Sequence, residues 1–161
     1  MAINLLLALA IGLVTIISPQ TDHKRSLAGI SSMHVLVEAL NSEAKEDGLS
    51  ESQLQTDAEL KLRSAGIKLE PDSIPHVYIQ VTYIQARGQQ GAPIGYAAFC
   101  RVSFHQGAKL DSTGIEMPVE TWNDGGINTG PRSTANDNLR KKVGGSVDMF
   151  INNYLAVNPK R

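Results

Sequence analysis

Between His76 and Ala86 the chain alternates its side chains with little interruption: Val77, Ile79, Val81 and Tyr83 interleave with Tyr78, Gln80 and Thr82. A period of two places the first set on one face of a strand and the second on the other. The first face demands a covering layer and the second is mostly polar. This segment therefore belongs to a sheet covered on one side only, and the rest of the chain must supply that cover.

Two helices have the required shape. Ser50 is a good N-cap, Gln53 follows three residues later as in a capping box, and Leu49 and Leu54 are spaced for a hydrophobic staple. Leu54, Ala58, Leu62 and Ala65 then make one narrow apolar stripe, and Gly66 takes the left-handed position past the helix end. A second helix is predicted from about Ala135 to Leu155, with Leu139, Val143, Val147, Phe150, Ile151 and Tyr154 on one face. Gly144-Gly145 inside it costs about 1 kcal/mol per Gly relative to Ala, and a close approach to the sheet would account for the pair.

The remaining strands are shorter. Met33 to Leu40 is strand-like, with Val35 and Val37 on one face and His34, Leu36 and Glu38 on the other. Asn41 to Gly48 is polar and reads as a loop, and Ile67-Lys68-Leu69 as a short strand. Arg87 to Pro93 is a turn leading into a strand from Tyr96 to His105, and Gly107 to Gly114 is another turn. Met117 to Asn123 is a strand that Pro118 assigns to an edge or a strand end. Asp124 to Arg132 reads as a Gly-rich loop. The expected fold is α+β, a two-layer sandwich of four or five mainly antiparallel strands with two helices on one face. The domain is expected over residues 33–157, after a linker over residues 21–32.

The first twenty residues read differently. From Ile3 to Ile17 only Asn4 and Thr15 are polar, a run of the length of a secretory signal core or a short membrane anchor. No Lys or Arg precedes it, and Ile17-Ser18-Pro19 is a poor cleavage site. As a helix, the run would be about 22 Å long, short of the ~30 Å hydrocarbon core, so a retained anchor suits a larger membrane assembly. Lys24 and Arg25 lie after the run, which leaves a cytoplasmic body as the alternative to a periplasmic one.

Charge and composition narrow the function. A formal net charge of -1 lacks the basic surplus of a nucleic-acid binder. The single cysteine, Cys100, cannot form an internal disulfide and reads as a small strand hydrophobe. Neither a nucleophile elbow nor a zinc-protease motif occurs, and no cofactor or metal is implied. Gly125, Gly126 and Gly130, between a strand and a helix, form a candidate anion loop, although Asn123-Asp124-Gly125 is also an ordinary turn sequence. His34, His76 and His105 fall on or beside strands at arbitrary separations, and would serve an unrecognised enzyme or a metal only if they shared a face. The candidate partner surface consists of Gln80 and Thr82 on the polar sheet face, Trp122, and the basic residues Arg140 and Lys141. Trp122 shares a strand face with Glu120 by simple alternation, and is either core or an interface anchor.

Ser26-Leu27-Ala28-Gly29-Ile30, Gly48-Leu49-Ser50, the helix Leu54 to Ile67, and the closing Phe150 to Pro159 together resemble a group of small uncharacterised exported bacterial proteins. The resemblance implies export through a cleavable signal peptide, from which this chain departs at its cleavage site, and brings no catalytic residues. The function expected is a non-catalytic envelope accessory domain, attached to the membrane through residues 3–17 and working with a protein partner. A periplasmic small-ligand binder and an enzyme with an unfamiliar site are the alternatives.

Overall fold

The computed structural model describes residues 23–159, so the apolar N-terminal run lies outside the described residues. The element order is β1 (His34–Val37), α1 (Ser42–Glu46), α2 (Glu51–Ser64), β2 (His76–Arg87), β3 (Pro93–Lys109), β4 (Glu116–Pro131), a 3-10 turn (Arg132–Thr134) and α3 (Ala135–Val157). The strands form one sheet in the order β1-β2-β3-β4. β1 runs parallel to β2, and the other two pairings are antiparallel. This is the expected α+β sandwich, with α2 and α3 packed on one sheet face.

β2 obeys its alternation: Val77, Ile79, Val81 and Tyr83 are buried beneath the helices. β3 continues the pattern with Ala98, Cys100, Val102 and Phe104. The stripe of α3 meets them, and all six of its predicted core residues are buried. Phe150 is the centre of contact, with ring centroids 5.3 Å from Phe104 and 5.2 Å from Trp122. α2 begins as expected: Ser50 accepts from the Gln53 amide, and Gly66 adopts φ +82° after the helix end. Among the described residues, no helix is long and apolar enough to cross a membrane.

Four expectations are corrected. Asn41 to Gly48 contains the helix α1, because the Asn41 side chain caps it by accepting from the Ala44 amide. Ile67 to Leu69 is reduced to a single parallel bridge between Met33 and Leu69. Residues 23–32 are no free linker: Leu27 is fully buried, the Asn158 amide side chain donates to the Leu27 carbonyl, and the Gly29 amide donates to Asn158. The largest difference is at Asp124 to Pro131, which continues β4 instead of looping. Gly125 pairs with Arg101, Gly126 with Cys100 and Gly130 with Tyr96.

These glycines mark close approaches rather than turns. A Cβ on Gly125 would lie 2.5 Å from the Cys100 carbonyl oxygen, and one on Gly126 would lie 3.3 Å from Lys142 Nζ. A Cβ on Gly130 would lie 3.3 Å from the Tyr96 ring. Gly144 in α3 follows the same logic, but its close neighbour is Lys61 of α2, not the sheet.

Gly125→Ala is expected to destabilise the domain by about 1–3 kcal/mol, because backbone must shift to admit the methyl group. Gly145→Ala meets nothing within 4 Å and is expected to stabilise it by up to about 1 kcal/mol. Urea unfolding of the two variants beside the parent chain checks both signs.

Candidate functional site on the open sheet face

The sheet face without helices carries the side chains of opposite parity. On β2 these are His76, Tyr78, Gln80, Thr82 and Ile84, and on β3 Ala97, Phe99, Arg101, Ser103 and His105. Cross-strand register then divides the face into two zones. In one, Thr82 stands opposite Phe99 and Phe99 opposite Ile127, while Ile84 is opposite Ala97 and diagonal to Phe99. Phe99 is 42% exposed, Ile84 60% and Ile127 77%, so this is an apolar zone left in water.

The other zone is a row of rings. His34 stands opposite His76, and His76 opposite His105. Their centroids are 5.0 and 5.1 Å apart, and His76 and His105 are stacked within 5° of parallel. Tyr78 lies edge-on to His105 at 5.8 Å. Ser103 is buried on this face, and its Oγ lies 3.0 Å from His105 Nε2. His76 Nδ1 donates to the Ile74 carbonyl at 3.1 Å. Burial lowers the His105 imidazole below its usual value, and the neighbouring His76 and Arg101 charges act the same way against Glu120. Burial, then the charge of Glu38, raises the Tyr78 hydroxyl. Lone pairs in the planes of the parallel His76 and His105 rings run alongside one another and do not converge. In keeping with that geometry, no group of three or more His, Cys, Asp or Glu is placed to hold a metal ion among the described residues.

The candidate partner surface does not form one surface. Gln80 and Thr82 lie on the open face, as expected. Trp122 is core, only 3% exposed against Phe150. The reason is a β-bulge: Phe104 pairs with Trp122 but His105 pairs with Glu120, so Thr121 is the extra residue and the alternation inverts across it. Glu120 consequently pairs with Arg101 at 2.6 Å while Trp122 faces the helices. Arg140 and Lys141 are on α3, in the other layer. Arg140 is fully engaged by Asp57 of α2, through Nε at 2.7 Å and Nη2 at 3.0 Å. Gly125, Gly126 and Gly130 lie on a paired strand, so the expected anion loop before a helix is not formed. Cys100 is buried, which pushes its thiol up to about 11 in spite of the opposing charge of Lys142. That is the state of an inert hydrophobe rather than a nucleophile.

Sequence reasoning missed two features. The exposed pair Phe99–Ile127 is hidden because the Gly-rich run around Ile127 reads as a loop; the parity of Phe99 with Arg101 and Ser103 is the available signal. The second is a polar cluster at the far end of β2. The Asp47 carboxylate, fully shielded from solvent, accepts from the Tyr83 hydroxyl, the Gln85 amide at 3.1 Å and the Arg132 guanidinium. The Tyr83 ring stacks on Tyr96 at 5.7 Å. Burial acts to raise the Asp47 carboxyl, but the Tyr83 and Arg132 bonds outweigh it and hold it below its usual value.

No family profile matches the chain, and no curated protein matches it. Solved structures to which it is similar include a minor lipoprotein from Acinetobacter baumannii, at TM-score 0.46 and 10% identity over 81% of this chain and 95% of that one. A putative lipoprotein from Caulobacter crescentus CB15 aligns at TM-score 0.41 and 11% identity, over 86% of this chain and 98% of that one. The rare lipoprotein B from Shewanella oneidensis aligns at TM-score 0.38 and 10% identity, over 79% and 96%.

Asp47→Ala strands the buried Tyr83 hydroxyl and is expected to destabilise the domain by about 2 kcal/mol. Because the native carboxyl is held low, its contribution is complete above the usual aspartate range near ~3.9 and disappears as pH falls through the lower native value. Thermal unfolding of the parent and the variant across acid pH should therefore converge only at the acid end.

Proposed function

We propose that this chain is a non-catalytic accessory domain of the cell envelope that works through protein contacts on the open face of its sheet. The observation that carries this reading is the exposed apolar zone of Ile84, Phe99 and Ile127 on the helix-free side. Isolated exposed hydrophobics are common, but aromatic and branched side chains aligned across three strands offer a flat surface that a partner can dehydrate. Thr82 and Gln80 border it with uncharged polar groups able to satisfy a rim. The apolar run from Ile3 to Ile17 supports placement at the membrane, and its shortness suits a protein that sits within an assembly.

The test is mild-detergent purification of the tagged full chain from membranes, with mass spectrometry of partners and of the N-terminus. A stoichiometric partner is expected, together with a retained N-terminal segment. Phe99→Asp and Ile127→Asp are each expected to reduce recovery of that partner by about tenfold or more, since interface anchors carry about 1.4 kcal/mol or more each. Their unfolding midpoints should stay near that of the parent, because both side chains are exposed. A lone soluble protein beginning after Ile17, or a partner indifferent to both substitutions, overturns the reading.

A further inference from the structure

We propose that the His34–His76–His105 row is a proton-responsive seam that loosens β1 from β2 on mild acidification, while the Asp47 end of the same sheet stays closed. The geometry supplies the first argument. One imidazole from each of three adjacent strands sits in a single row with spacings of 5.0 and 5.1 Å. Protonating more than one places like charges at ring-to-ring distance on a partly dehydrated surface, where repulsion is weakly screened.

The surrounding charges do not absorb this. Arg101 and Glu120, from β3 and β4, already pair with each other. The groove that His34 lines also holds Glu59 and Arg63 of α2, paired at 2.8 Å, and Glu70, which pairs with Lys68. Two acidic groups of this neighbourhood form no ion pair among the described residues: exposed Asp72, in the turn four residues before His76, and Glu38, which sits beside Tyr78 about four residues, or roughly 13 Å, along the strand from His34. One Glu38 oxygen and His34 Nδ1 are both buried with no hydrogen-bond partner among the described residues, and the length of strand between them keeps either from answering the other.

The place most exposed to the strain is β1. It is four residues long and is joined to the sheet only through β2. Its first backbone bond runs from the His34 amide to the Pro75 carbonyl at 3.1 Å, beside the row itself. The sign follows from linkage. His105, whose native form resists protonation through burial and the neighbouring His76, leaves the unfolded or opened state holding more protons below the ordinary histidine value near ~6.5, so stability falls as pH falls from there. The Asp47 cluster responds only in the more acidic carboxylate window, so the two ends of β2 answer to different pH ranges.

Hydrogen exchange of the full chain in non-ionic detergent tests this, with rates corrected for the intrinsic effect of pH. Between pH 7.5 and pH 5, protection of the His34 and Glu38 amides is expected to fall several-fold. Protection of the Gln85 amide, bonded to Glu43 at the other end, should be unchanged. His76→Gln, which removes the central ring, should abolish most of that fall. Should this variant fail to fold, a histidine NMR titration of the parent replaces it, and a single-site curve for His105 with no dependence on its neighbours counts against the proposal. Equal loss of protection at both ends, no loss at His34 and Glu38, or the same loss in His76→Gln overturns it.

Discussion

The two layers of this domain are joined at Phe150. Its ring is fully buried between Phe104 of β3, Trp122 of β4 and Tyr154 one turn along its own helix. That junction depends on a one-residue irregularity. Without the bulge at Thr121, strict alternation would put Trp122 and Glu120 on one face, so that seating the ring against Phe150 would carry the carboxylate into the core with it. The bulge reverses the parity, placing the large ring in the core and the carboxylate in water beside Arg101. The contact of Trp122 with Phe150 and the Arg101–Glu120 pair on the other face both depend on this reversal.

Much of the fold was legible because its strongest signals are periodic. The alternation of β2, the capped start of α2 at Ser50 and the six-residue stripe of α3 each express a geometry that only one secondary structure satisfies. What could not be read has a common physical cause: a local composition that ordinarily means one thing is reassigned by a neighbour. Asn41 begins a polar stretch that becomes helical because its side chain caps it. Gly125, Gly126 and Gly130 look like turn residues, yet they extend an edge strand paired with β3, where a Cβ on Gly125 would collide with the Cys100 carbonyl and one on Gly130 would crowd the Tyr96 ring. The bulge at Thr121 has no signature in the residue types around it. The convergence of His34, His76 and His105 depends on pairing register, which separations in the sequence do not encode.

The distribution of polar groups between layers is informative in itself. On the helical side, the Asp57–Arg140 and Lys61–Asp148 pairs bridge α2 to α3, each cation answered by a carboxylate. Those charges fasten one helix to the other and leave little net field for attracting a ligand. The open face has the opposite character, with apolar side chains in water at one end and clustered imidazoles at the other. Two surfaces of one small domain are thus specialised differently, one for internal cohesion and one left with unmet demands.

The Asn158 side chain joins the segment before β1 to the end of α3, receiving the Gly29 amide and donating to the Leu27 carbonyl. Leu27 is itself fully buried. The chain's entry into the domain and its exit are therefore latched side by side. Ahead of the latch, the Ser26 hydroxyl donates to the Thr121 carbonyl and the Ser26 carbonyl accepts from the Gln106 side chain, so a pull on this segment would be shared by β3 and β4 as well as by the latch. Residues 26–29 are thus part of the body of the domain, and its open face cannot turn independently of them.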